Sequence, residues 1–88
     1  NDDMALTVCD VLQQRGQHVP DDVQVIGFDG QRIKEQDDFL VSTIVQPVAL
    51  MAQRSVDSLL AVIAGQTVDN RTVLPVAFGA SWTTQPIQ

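Results

Sequence analysis

The stretch VQVIGFDG, residues 23–30, carries a largely apolar run into an aspartate and a glycine. Asp29 is open there to four readings: a hairpin corner, a helix-entry loop, half of an acidic metal site, or a ligand-gripping carboxylate. A carboxylate pair flanking a glycosidic bond would need a second acid, and no spacing selects one. The other acids include the adjacent pairs Asp2–Asp3, Asp21–Asp22 and Asp37–Asp38. Neighbours on a helix or strand point apart, and none of these pairs has the spaced D-x-D-x-D-G pattern of a calcium loop, so no metal ligand is assigned. His18 stands in a polar turn beside Pro20, and none of Ser42, Ser55, Ser58 and Ser81 lies in a G-x-S-x-G elbow. The glycines are isolated and form no phosphate loop. No catalytic residue and no cofactor is therefore assigned, and the chain reads as something other than an enzyme. Cys9, the single cysteine, reads as a small apolar helix residue and agrees with a reducing setting. Trp82 reads as packing.

Elements must position whichever of these residues act. NDDMALTVCDVLQQRG opens with helix-capping acids, repeats apolar Met4, Ala5, Val8, Val11 and Leu12 at helical spacing, and ends at Gly16. Pro20 bars further helix. VQVIGF then reads as a strand buried on both faces, as in a parallel sheet covered by helices. GQRIKEQDD has room for one or two helical turns, and FLVSTIVQ is a second strand. PVALMAQRSVDSLLAVIAG is the clearest element, with Pro47 in the first turn, Gly65 past the end and a stripe of Val48, Ala52, Val56, Leu59 and Ile63. VLPVAF is a short strand whose Pro75 predicts an edge position. This order predicts an α/β fold, a parallel sheet with flanking helices. Asp29 then falls at the carboxyl end of a buried strand, where open α/β sheets bind ligands. That position leaves a ligand carboxylate and a solvated strand end level, while the hairpin loses ground because no alternating strand follows closely.

Size and charge narrow the class. Eighty-eight residues make one domain at most, one that buries about 60–65% of its unfolded surface. The net charge is −6, and Arg15, Arg32, Lys34, Arg54 and Arg71 form no basic stripe, so this segment offers no duplex-binding face. No apolar run reaches the length of a membrane span. The first helix has no strand to feed it, so the chain reads as a segment of a longer α/β unit.

The blocks NDDMAL, VPDDVQVIGFDG and STIVQP, with the terminal LPV and TT, resemble the C-terminal part of the effector-binding core of lactose-repressor (LacI/GalR) type transcription regulators. The resemblance covers nearly the whole chain. It implies a fragment of a periplasmic-binding-protein-like core of two α/β subdomains. Residues 1–45 would belong to the C-terminal subdomain, 46–78 to the N-terminal one, and 79–88 to a return tail. By the same resemblance Asn1, Asp29 and Gln46 are ligand-binding residues, the aspartate accepting hydrogen bonds from neighbouring sugar hydroxyls. Leu6, Asp10, Arg32, Ile33 and Asp37 would lie at a homodimer interface. Phe28 matches the aromatic before the aspartate and is expected to pack. Gly30 stands where many members carry another polar residue, and Val48 where some place an aromatic against the ligand. The implied protein is a cytoplasmic regulator, a repressor, that binds a small sugar-like effector. It would meet operator DNA through an upstream helix-turn-helix absent from this chain. A periplasmic sugar-binding protein of a transport system shares the fold and is the alternative.

Overall fold

Both stretches of helical periodicity are helices in the computed structural model, which describes residues 1–34 and 37–86. Helix α1 spans Asp2–Gln14, and the Asn1 side-chain oxygen accepts the Met4 N–H at 2.8 Å as its N-cap. Helix α2 spans Val48–Ile63, with Pro47 one position before the first turn. Both end in the same hydrogen-bonded closure. After α1, Gly16 N–H donates to the Gln13 carbonyl and Gln17 N–H to that of Leu12; after α2, Gly65 pairs with Val62 and Gln66 with Ala61. That closure needs a left-handed residue, and Gly16 and Gly65 adopt φ of 79° and 81°.

Among the described residues three short strands form one sheet in the order β1-β2-β3: β1 Gly27–Asp29, β2 Thr43–Val45 and β3 Ala77–Gly79. β1 and β2 are parallel and pair Gly27 with Thr43, Phe28 with Ile44 and Asp29 with Val45. The regular strand is shorter than VQVIGF suggests. A ladder extends only where a partner strand runs alongside, and Val25 instead bonds the C-terminal tail: its N–H donates to the Thr83 carbonyl at 3.0 Å, and the Thr83 hydroxyl donates to its carbonyl at 2.7 Å.

β3 departs from the parallel expectation. It is an edge strand, but it starts beyond Pro75, which has no N–H to give a ladder, and it runs antiparallel to β2. Its first residue, Ala77, pairs with Val45, the last of β2. The chain thus returns to the sheet edge it left, and that entry point sets the antiparallel direction. From the stretch read as one or two helical turns, Arg32 forms an antiparallel bridge with Phe39, the residue that follows that stretch. Glu35 and Gln36 within it, and Ile87 and Gln88 of the tail, lie outside the described residues.

The chain divides into two compact units, Asn1–Gln46 with Ala77–Gln88, and Pro47–Val76. In the second, α2 buries none of its residues, so the Val48-to-Ile63 stripe is exposed. The first unit holds the core, and that core is small and polar: Ala5, Cys9 and Val41 are buried together with Asp2, Ser42, Thr43 and Thr83. The inward stripe of α1 is therefore Asp2, Ala5, Cys9 and half-buried Leu12, while Met4 and Val8 are 66% and 48% exposed. Phe28, expected to pack, is 47% exposed.

Two glycines admit close neighbours. A Cβ on Gly79 would meet the Phe39 ring at 2.5 Å, and one on Gly27 would overlap the Asp2 carboxylate. Gly27→Ala should therefore destabilise the protein by about 1–3 kcal/mol in urea unfolding, the usual cost of forcing a methyl into packed structure; an unchanged midpoint would mean that α1 does not sit so close to β1.

Candidate functional site

Parallel, in-register strands end at the same sheet edge, which is how Asp29 and Gln46 meet. Asp29 closes β1 opposite Val45, and Gln46 is the next residue of the chain after Val45. The Gln46 amide donates from Nε2 to Asp29 Oδ1 at 2.7 Å. Asp29 is exposed, so its other oxygen and remaining lone pairs are free for further donors. A carboxylate with one oxygen oriented by an amide suits a ligand that presents two adjacent hydroxyls, because bonds to a charged acceptor are the stronger kind.

The backbone here is unusual. Asp29 has φ 132° and Gly30 has φ 86°, two successive residues in a region that side chains disfavour. A side chain at Gly30 would also be tightly placed, since a Cβ would lie 3.0 Å from Val45 Cγ1. Beyond the bend, Gly30 N–H donates to Thr43 Oγ1 at 3.1 Å and Gln31 N–H to Asp2 Oδ2 at 2.6 Å. The Thr43 hydroxyl donates to Asp2 Oδ1 at 2.7 Å. Asp2 and Thr43 are fully buried.

Asn1, the third expected ligand residue, is exposed, and its side-chain oxygen is taken by the helix cap. The amide group of that side chain is the part with donors to offer a ligand. Asn1 adjoins the cluster through Asp2, its neighbour in sequence. The five residues expected at an interface fall on two segments. Leu6 is half-buried and Asp10 exposed on α1. Arg32 lies 4.2 Å over the Phe39 ring and donates to the Asp37 carbonyl, while Ile33 N–H donates to the Asp38 carbonyl at 3.0 Å. Burial, aided by the charge of Asp10, pushes the Cys9 thiol up, which disfavours the reactive thiolate.

Other candidates have structural duties. His18 N–H donates to Asp22 Oδ2 at 2.8 Å within its turn, and Trp82 Nε1 donates to the Leu40 carbonyl at 3.0 Å. Among the described residues no group of three or more His, Cys, Asp and Glu could hold a metal ion. One concavity of about 450 Å³ is lined by Phe78, Ala80, Ser81, Thr84, Gln85 and Pro86, and another of about 350 Å³ by Asp3, Met4, Thr7 and Val8. Neither is lined by Asp29 or Gln46.

Sequence reasoning missed Asp2 and Thr43. Asp2 and Asp3 read as an interchangeable capping pair, yet residues one apart on a helix point about 100° apart and only one can face the sheet. A signal was present: Asp2, Ala5 and Cys9 share the three- and four-residue spacing of one helix face.

Comparison with known proteins gives the chain its relatives. The family described as periplasmic binding protein-like domain matches residues 1–81. The arabinose metabolism transcriptional repressor of Geobacillus stearothermophilus is 30% identical over 69 residues, 78% of this chain and 19% of that protein. The lactose operon repressor of Escherichia coli (strain K12) is 35% identical over 77 residues, 88% of this chain and 21% of that protein. The transcriptional repressor PurR of Vibrio parahaemolyticus is 42% identical over 60 residues, 68% of this chain and 18% of that protein. The chain thus spans about a fifth of the length of the curated relatives it matches. The crystal structure of the lac repressor dimer bound to operator and the anti-inducer ONPF superposes with a TM-score of 0.80 at 33% identity, covering 98% of this chain and 30% of that one. With the α/β sheet and the helices in place, the chain belongs to the periplasmic binding protein-like domain family, and the relatives it is similar to are transcriptional repressors.

Proposed function

We propose that this chain is the sensing segment of a transcriptional repressor and that Asp29 grips a small sugar-like effector there. The observation that carries this reading is the 2.7 Å bond from Gln46 to an exposed carboxylate at the edge where two parallel strands end. Its chemistry fits vicinal hydroxyls: Asp29 accepts from two of them, Gln46 orients the carboxylate, and the Asn1 amide offers a donor. Gln46 is also the last residue before the unit Pro47–Val76. A ligand that competes for Asp29 Oδ1 therefore acts on the residue through which the chain passes from one unit to the other. The units are the counterparts of the two subdomains of the family core.

Effector binding would shift the balance between two states of the core and so change operator affinity, since coupling requires differential binding to two states. The operator is met by a separate helix-turn-helix in the cytoplasm, because the scattered cations of this segment make no phosphate-binding face. Two copies associate through Leu6 and Asp10 of α1 with Arg32, Ile33 and Asp37. That all three relatives named above are transcriptional repressors favours this reading over transport, and also over catalysis.

Asp29→Ala should weaken sugar binding, measured calorimetrically against free pentoses and hexoses, by about 1.5–3 kcal/mol, the cost of losing hydrogen bonds to a charged group. Gln46→Ala should cost less, about 0.5–1.5 kcal/mol, and adding it to Asp29→Ala should cost almost nothing more, because Gln46 works through the carboxylate. Unchanged affinity in Asp29→Ala would remove the carboxylate from the site. For the dimer, Leu6→Asp should shift sedimentation toward a monomer; a variant that sediments as the wild type would clear α1 of that role.

A further inference from the structure

We infer that Asp2 and Thr43 are positioning residues that aim the Asp29 carboxylate, a role resting on the reading of Asp29 as the effector-binding group. A non-glycine residue at φ 132° is strained and persists only where its surroundings over-determine it. Those surroundings can be named. Before the bend, the strand is fixed by its pairing with β2 and by the Gly27 N–H, which donates to the Ser42 carbonyl at 2.8 Å. After it, the next two N–H groups are each held by a side chain from another element, Gly30 by Thr43 of β2 and Gln31 by Asp2 of α1.

These bonds close on one another. The Asp2 carboxylate is an acceptor only, so the single proton of the Thr43 hydroxyl goes to Oδ1 at 2.7 Å rather than to the Ile44 carbonyl at 3.4 Å. That choice turns the Thr43 lone pairs toward Gly30 N–H. Gly27, with no Cβ, leaves the space that Asp2 Oδ1 occupies. Asp2 and Thr43 are fully buried, so neither touches a ligand; they act through the backbone at Gly30 and Gln31, on which the direction of Asp29 depends.

The test uses Thr43→Val, which keeps the shape and removes the hydroxyl, and Thr43→Ser, which restores it. In the ligand-free protein the readouts are the three-bond HN–Hα coupling of Asp29 and hydrogen exchange at Gly30 and Gln31. Thr43→Val should move the coupling from the small value of a positive φ toward the large value of an extended strand. Exchange should quicken at Gly30 and Gln31 while Gly27 stays protected, and Thr43→Ser should return both readouts to wild type. Asp2→Asn, which removes one of the two acceptor oxygens, carries the same readouts should Thr43→Val not fold. With L-arabinose, D-galactose and D-glucose as probes, Thr43→Val should weaken whichever binding is lost in Asp29→Ala by roughly tenfold. An unchanged coupling with unchanged exchange, or a loss that serine does not restore, overturns the positioning role. If the coupling moves as expected but Asp29→Ala leaves sugar binding intact, the positioning of Asp29 stands and its assignment to effector binding falls.

Discussion

Parallel pairing brings the ends of two strands to one edge, and the three-residue register between β1 and β2 is the constraint on which this structure depends. Because Asp29 lies opposite Val45, the residue that follows Val45 reaches the carboxylate within hydrogen-bond distance. A slip of one residue would turn alternate side chains to the other face and separate the pair. The same register sets Thr43 beside Gly27, where the missing Cβ admits Asp2 from α1. Helix, strand ends and site are thus fixed by one alignment.

What secures that alignment is largely polar. Among the described residues the buried apolar ones are Ala5, Cys9 and Val41, which offer little area, and none of them is large. The other buried side chains form two hydrogen-bonded groups. Asp2 and Thr43 join α1 to the sheet. Thr83 Oγ1 accepts the Ser42 N–H at 2.8 Å and donates to the Val25 carbonyl, while Ser42 Oγ accepts the Ser81 N–H at 2.8 Å, so the tail is tied to both strands. Among the described residues no buried side-chain polar atom lacks a partner. Buried polar groups cost stability when unpaired and specify geometry when fully paired, and the second condition holds here.

The helices were legible because their signals are local. Acids in the first turn and a closing glycine act within a few residues, and Gly16 and Gly65 stand where the sequence places them, although the cap itself is Asn1 and not the acids that follow it. Strand extents were not legible, since a ladder requires a partner: VQVIGF has the composition of a longer strand than Gly27–Asp29, and the direction of β3 follows from where the chain re-enters the sheet. The position of Asp29 at a strand end could be read from the apolar run before it. Its bond to Gln46 could not, because seventeen residues separate them and only the register joins them. Asp2 was hidden for another reason: an acid at a helix start normally caps in solvent, and its burial shows only when the stripe through Ala5 and Cys9 is followed back to the N-terminus.

The proposed effector site is the Asp29–Gln46 pair. The most direct measurement follows the Asp29 side-chain carboxyl carbon and the Gln46 side-chain amide by NMR while a binding sugar is titrated into the labelled protein. If the pair is the site, both resonances move saturably and with the dissociation constant obtained by calorimetry. A sugar that binds by calorimetry while both resonances stay where they were would place the effector elsewhere and contradict the account.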